Sequence, residues 1–219
     1  MRICFIKSLG AVALTLAAAA TVTFALEPPQ NIIVMPPKDG GYTLVKAIES
    51  RHSDRTFVDS DFSSTQVAEI LWCASGENRE NGGLTVPTAL GKKEVFVYAV
   101  TKQGVYKFLP NEKKALFVNK GDFRKDAGMQ DFVGKAAVNL VYVIDKNLSG
   151  GKTDADKVRM GAFSAGAMSQ NVALFAASKG YGNVVRGSFD KVKLGKALKL
   201  SPSEEILMTQ SVGPIAPAK

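Results

Sequence analysis

Histidine, cysteine and tryptophan are scarce in this chain: one, two and one among 219 residues. Cys4 lies in the N-terminal stretch and only Cys73 in the body, so no internal disulfide can tie the body together in any redox compartment. His52 and Cys73 are too few soft ligands for a structural zinc site. A Cys–His nucleophilic pair has no third residue to orient it. Cys73 falls in an apolar helical pattern and reads as a buried, inert thiol. Internal repeats and linker-like tracts are also missing, which leaves one domain for the body of the chain. Lysines are plentiful but scattered (Lys113, Lys120, Lys125, Lys191, Lys196) and not interleaved with aromatics in one stripe, so nucleic-acid binding finds no support.

The first long apolar run is N-terminal. Arg2 and Lys7 form a short basic region, Leu9 to Phe24 is Ala-rich and uncharged, and Thr23-Phe24-Ala25 offers small residues for cleavage. This pattern predicts a secretory signal over residues 1–25 and an exported protein, periplasmic or secreted. The run is short for a membrane span, no arginine pair marks a twin-arginine signal, and Cys4 precedes the run where a lipoprotein cysteine would follow it. No stable membrane anchor is expected after cleavage. Removing residues 1–25 takes Arg2 and Lys7 from the 28 basic residues and none of the 20 acids, leaving 26 against 20, or +6. Residues 26–41, with Pro28-Pro29, Pro36-Pro37 and Gly40-Gly41, read as an extended arm. Its apolar Ile32-Ile33-Val34-Met35 is expected to dock on a surface, that of a second subunit if the protein is a dimer. Residues 42–219 form the domain.

Within the domain, helix patterns run over Tyr42–Ser50 and from the capping candidates Ser63-Ser64 to Gly76, where Val67, Ile70, Leu71 and Ala74 make a one-sided apolar stripe. Glu94–Val100 and Gly104–Phe108 read as a hairpin. Asn111–Gly134 is charged with a weak helical period and predicts one or two surface helices. Ala137–Ile144 is a near-continuous apolar run, the mark of a central strand. Asp154–Lys179 is the longest helical pattern, small or apolar almost all round, and predicts a buried helix. Ser164, Ser169, Gln170 and Asn171 within it argue against a membrane span. Asn183–Ser188 and Glu205–Val212 are strands flanking a short basic helix, Val192–Leu200.

Arg51-His52-Ser53-Asp54-Arg55 carries the most chemistry. Two guanidiniums and a hydroxyl within five residues, at a helix end, fit an anion and above all a phosphate monoester. A solvated charged turn is the plainer alternative.

The order of motifs resembles the FMN-dependent nitroreductase superfamily, nearest to its SagB-type dehydrogenase branch. Arg51-His52-Ser53-Asp54-Arg55 resembles the family's phosphate-binding Arg-x-Ser-x-Arg turn. Gly76-Glu77-Asn78-Arg79 resembles its Gly-x-Asn-Arg loop, and Pro87-Thr88-Ala89 its Pro-Ser-Ala segment near the flavin. Ala165-Gly166 through Gln170-Asn171 is similar to its central-helix motif, and Gly187-Ser188-Phe189-Asp190 to its Gly-Gly-Phe-Asp. The resemblance implies an α+β sandwich, a mostly antiparallel central sheet flanked by helices with a long buried central helix. It also implies a homodimer with FMN and two-electron chemistry on an organic small molecule, with NAD(P)H as the usual donor. By residue, it implies Arg51, His52, Ser53 and Arg55 at the FMN phosphate, Pro87, Thr88 and Ala89 along the flavin, and backbone N–H groups of Gly187 and Ser188 at the ring edge. Asn78 is a further polar candidate for the ring.

Each of these residues also has a structural reading: Ser53 as a helix cap, Thr88 as a turn residue, Gly187 as a strand end. The chain departs from the pattern in Thr88 for the usual Ser, in Arg186 before Gly187, and in Gly91-Lys92-Lys93 where an aromatic is frequent. No basic residue but Lys219 follows Val212-Gly213-Pro214. Export adds that reduced nicotinamide is scarce outside the cytoplasm. These departures keep a second function in view, a cofactor-free protein of the same fold that binds an anionic small molecule.

Overall fold

The computed structural model describes residues 30–38 and 41–216; the predicted signal segment lies outside them. Seven strands, β1 (Ile32–Ile33), β2 (Val95–Thr101), β3 (Gly104–Leu109), β4 (Lys114–Lys120), β5 (Val138–Asp145), β6 (Gly182–Arg186) and β7 (Glu204–Gly213), form one sheet. Its order is β1-β4-β3-β2-β5-β7-β6, and every adjacent pair is antiparallel. Among the described residues four α-helices pack with it: α1 (Leu44–Ser50), α2 (Ser64–Ser75), α3 (Asp154–Ser178) and α4 (Lys191–Leu198). The expected α+β sandwich is thus the observed one. No helix among the described residues is long and apolar enough to cross a membrane.

The sheet is covered on both faces, which explains why its central strand reads as an unbroken apolar run. From Val138 to Ile144 every residue of β5 is buried. Its alternate side chains Leu140, Tyr142 and Ile144 face α2 and α3, where Ile70, Leu71, Met168 and Val172 pack. Val141 and Val143 face the other way, under Leu194 and Leu198 of α4 and Val133. Two capping boxes start the main helices: Ser63 with Gln66 for α2, and Thr153 with Asp156 for α3. Each satisfies a backbone donor that helix geometry leaves free and fixes the start of its helix.

Three expectations change. The charged stretch 111–134 holds no α-helix. It holds the end of a 3₁₀ turn, Pro110–Glu112, then β4, then two more short 3₁₀ turns, Arg124–Ala127 and Asp131–Lys135. Lys114 and Lys120 sit at the ends of β4, while Ala115, Leu116 and Phe117 pair with Phe108, Lys107 and Tyr106 of β3. The Tyr106 and Phe117 rings meet at 5.5 Å, so cross-strand packing overrides a weak local period. The N-terminal arm docks on its own chain: Ile32 pairs with Ala115, Ile33 with Lys114, and the Val34 N–H donates to the Lys113 carbonyl at 2.8 Å. The long helix is not buried all round. Phe163 is 66% exposed, and α1 beside α3 leaves Leu44, Val45 and Ile48 more than half exposed, burying only Ala47.

Two ion pairs lock the far side of the sheet. The buried Arg124 forks onto Asp122 at 3.0 and 2.9 Å and donates to the Ala136 carbonyl at 3.0 Å. Lys107 reaches Glu204 at 2.8 Å. Burial alone would raise both carboxyls, but the hydrogen bonds and charges of Arg124 and Lys107 outweigh it and hold both below their ordinary values. Such groups bind fewer protons folded than unfolded, so their contribution is complete above the ordinary carboxyl range, about 4, and is lost as pH falls below it. Denaturant unfolding is expected to show stability dropping on acidification through that window, and Glu204→Gln is expected to flatten the drop.

Candidate functional site

The site is assembled on one side of α3. Ser164, Asn171 and Ser178 are spaced by seven residues, two helical turns, and therefore share a face, drifting only about 20° per step. Each holds a different segment. The Ser164 hydroxyl oxygen accepts from the Ala89 N–H at 3.0 Å. The Asn171 amide donates to the Cys73 and Thr85 carbonyls at 3.2 and 3.3 Å. The Ser178 carbonyl accepts from the Tyr42 N–H at 3.2 Å, just before α1. A side chain at Gly41 would come within 2.5 Å of that carbonyl, and its φ is +70°, so glycine is required there on two counts.

Helix α1 delivers the arginine turn. Arg51 caps α1 with its N–H on the Ala47 carbonyl. The Asp54 N–H donates to the Asn183 carbonyl at 2.9 Å, and the Asn183 amide donates to the His52 carbonyl at 3.4 Å, so the turn is fixed to the start of β6. Gly182 makes room: a Cβ there would lie 2.2 Å from Ile215 and 2.9 Å from Asp54. His52 is exposed and bonds within the turn, its ring nitrogens on the Ser50 carbonyl at 2.8 Å and the Asp54 carboxylate at 2.9 Å. The Arg51 and Arg55 side chains and the Ser53 hydroxyl engage no group of the chain among the described residues. Ser53 caps no helix; Thr43 and Ser63 cap α1 and α2. The result is a rigid turn with two free guanidiniums and a free hydroxyl.

The remaining candidates divide. Gly187 and Ser188 lie exposed just beyond β6, four and five residues past Asn183, about 13 Å or more along an extended strand. Nothing lies within 4 Å of where a Gly187 side chain would start, so its backbone is open to a ligand. Pro87 is exposed. Thr88 works as a turn residue: its hydroxyl accepts from the Lys93 N–H at 3.2 Å and its carbonyl from the Gly91 N–H at 3.0 Å. Asn78 serves its own loop, its amide nitrogen turned to the Gly83 and Leu84 carbonyls at 3.0 and 3.2 Å. Burial, reinforced by Glu69, pushes the Cys73 thiol up to about 12 against a weaker pull from Lys179, so it stays a thiol at neutral pH.

Arg186, the departure beside Gly187, points into the fold. It is buried, donates to the Asn139 side-chain oxygen at 3.1 Å and lies 5.7 Å from the Phe132 ring centre. Its Nε and Nη1 have no partner, and desolvation lowers it to about 10. Its charge therefore does not crowd the open face of Gly187. Sequence reading passed over Glu94 and gave Ser164 and Asn171 no role; the seven-residue spacing of polar positions in a helix otherwise small and apolar was the available signal for the two on α3.

Residues 48–214 match the sequence profile of the Nitroreductase family. This chain belongs to the nitroreductase family. Its fold matches the crystal structure of a nitroreductase-family protein from Ralstonia eutropha JMP134, with a TM-score of 0.80 and 31% identity over 88% of this chain and 92% of that one. A nitroreductase relative in Methanocaldococcus jannaschii is 24% identical over 168 residues, 72% of this chain and 85% of the relative. A longer nitroreductase-like chain from Anabaena variabilis ATCC 29413 shares the fold, with a TM-score of 0.71 at 17% identity over 92% of this chain and 45% of its own length. The matched region begins within α1 and closes after β7, and so takes in the arginine turn and the two segments held by Ser164 and Asn171.

Because the free arginines support nothing inside the chain, the double variant Arg51→Ala, Arg55→Ala is expected to unfold at the parent's temperature. Asn171→Ala strips donors from two partly buried carbonyls and is expected to lose about 1–3 kcal/mol in urea unfolding.

Proposed function

We propose that this chain is an exported FMN-dependent oxidoreductase acting on an organic small molecule, and that it works as a homodimer. The observation that carries the proposal is the rigid turn in which Arg51, Ser53 and Arg55 have no partner of their own. Guanidiniums held in place without internal ion pairs suit a doubly charged phosphate, which takes forked hydrogen bonds from both. The donor set therefore fits the FMN phosphate. The open backbone at Gly187 and Ser188 fits close approach of a flat ring, and Pro87, Thr88 and Ala89 are the residues to line it.

Bound FMN supplies two-electron hydride chemistry to or from an organic molecule, with NAD(P)H or, after export, another reductant as donor. The chain's own residues bind and orient. Arg51 and Arg55 hold charge, Ser53 adds a hydroxyl donor, and the Gly187 and Ser188 N–H groups offer hydrogen bonds where electron density grows on reduction. No side chain at the site is set as a general acid or base, so protons are assigned to water or substrate. The exposed apolar residues of α1 and, separately, Phe163 of α3 are the surface proposed to meet a second copy, since large exposed apolar side chains are what such an interface covers.

Export, predicted from residues 1–25, is tested by the N-terminal sequence of extracytoplasmic material, which is expected to begin near Leu26. For the cofactor, the purified protein incubated with FMN and desalted is expected to keep about one flavin per chain and to reduce a nitroaromatic with NADPH. The Arg51→Ala, Arg55→Ala variant is expected to lose the flavin while staying folded. A parent protein that stays colourless would move the assignment to the cofactor-free anion-binding reading.

A further inference from the structure

Between Ala89 and Glu94 the backbone is wound tightly. Leu90 and Lys93 both sit at φ 53° and Gly91 at 67°, and left-handed conformation is unfavourable for side-chain-bearing residues such as the first two. Both ends of this turn meet at one hydroxyl on α3. The Ala89 N–H donates to Ser164 Oγ at 3.0 Å, and Ser164 Oγ donates to Glu94 Oε1 at 2.6 Å. The direction of the Ala89 bond is fixed by chemistry, and the Ser164 bond runs to Glu94. An amide N–H can only donate, so the serine accepts there and its single proton goes to the glutamate.

Glu94 is fully buried, faces no cation among the described residues, and its Oε2 has no partner. A buried carboxyl oxygen without a hydrogen bond is costly, and an apolar side chain would fill the space with less penalty. What an apolar residue could not do is hold the serine rotor. A helical serine without an outside acceptor turns its proton back to the carbonyl four residues earlier. Turning the hydroxyl back rotates its two lone pairs away from the orientation that Glu94 sets.

We propose that Glu94 and Ser164 form a positioning pair that clamps both ends of the 89–94 turn and so sets Pro87, Thr88 and Ala89 against the flavin ring. The proposal rests on the FMN reading above. Neither residue is assigned contact with the cofactor: Glu94 acts through Ser164, and Ser164 through the Ala89 backbone.

The test uses Glu94→Gln, which keeps an oxygen acceptor for Ser164, Glu94→Leu, which keeps the volume without an acceptor, and Ser164→Ala. Amide exchange at Ala89, measured by NMR without flavin, reads the clamp alone. It is expected to speed up at least tenfold in Glu94→Leu and Ser164→Ala and to stay near parent in Glu94→Gln. Unchanged exchange in Glu94→Leu would overturn the clamp. Visible circular dichroism of bound FMN and the kcat and KM for a nitroaromatic then read its purpose. With the phosphate seat intact, FMN affinity is expected to stay within about tenfold, while the flavin dichroism changes and kcat falls by about tenfold with less change in KM, in Glu94→Leu but not Glu94→Gln. Faster exchange with parent-like dichroism and kcat would overturn the positioning role and leave the FMN reading standing. A parent that binds no FMN would overturn the FMN reading and the positioning role together, and the exchange result would still judge the clamp.

Discussion

The segments near the site hang on one helix, α3. The Ser164 and Asn171 side chains and the Ser178 backbone carbonyl each make a hydrogen bond to a different stretch of chain. Each bond is worth on the order of 1 kcal/mol net, which would not hold a loop by itself. Leaving its partner unpaired beside an apolar core costs more than the bond gains, and that asymmetry makes the arrangement specific. The sheet supplies the platform. β5 and its neighbours bury both faces, α3 lies across one of them, and Gly161 brings the helix close enough that a Cβ there would press on Ile144 at 2.7 Å.

The same geometry separates what the fold uses from what it leaves free. His52, Asn78 and Thr88 have their polar atoms engaged within their own turns and loops. Arg124 and Lys107, on the other side of the sheet, are consumed by Asp122 and Glu204. Arg51 and Arg55 are held by their backbone and left unpaired at the side chain. Two unpaired guanidiniums at one turn fixed by its backbone are what the proposed phosphate seat requires. The apolar face of α1 and Phe163 are likewise left over by the single chain, which is why a second copy enters the functional account.

Much of this could be read from the sequence because local signals agreed with the fold. The apolar run of β5, the one-sided stripe and serine cap of α2, and the small-residue pattern of α3 each point to the element that forms. The arginine turn was legible too, since its chemistry lies within five consecutive residues. What escaped depends on distance. β4 looked helical until Tyr106 and Phe108 of the neighbouring strand are seen beside it. Glu94 looked like the first residue of a strand, and Ser164 a neutral helix position; they meet across 70 residues of sequence. Arg186 read as a charge at the ring edge, whereas the alternation of β6 turns it into the fold.

The central claim is that the turn at Arg51 to Arg55 seats a phosphate monoester belonging to a flavin. Equilibrium dialysis of the purified protein against FMN and against riboflavin, which carries the same ring without the phosphate, tests it most directly. The account predicts FMN binding tighter by a hundredfold or more, the effect of two charge-assisted contacts each worth about 1.5–3 kcal/mol, with the difference shrinking as salt is raised. Equal affinity for the two would contradict it, because the free arginines would then play no part in holding the ligand.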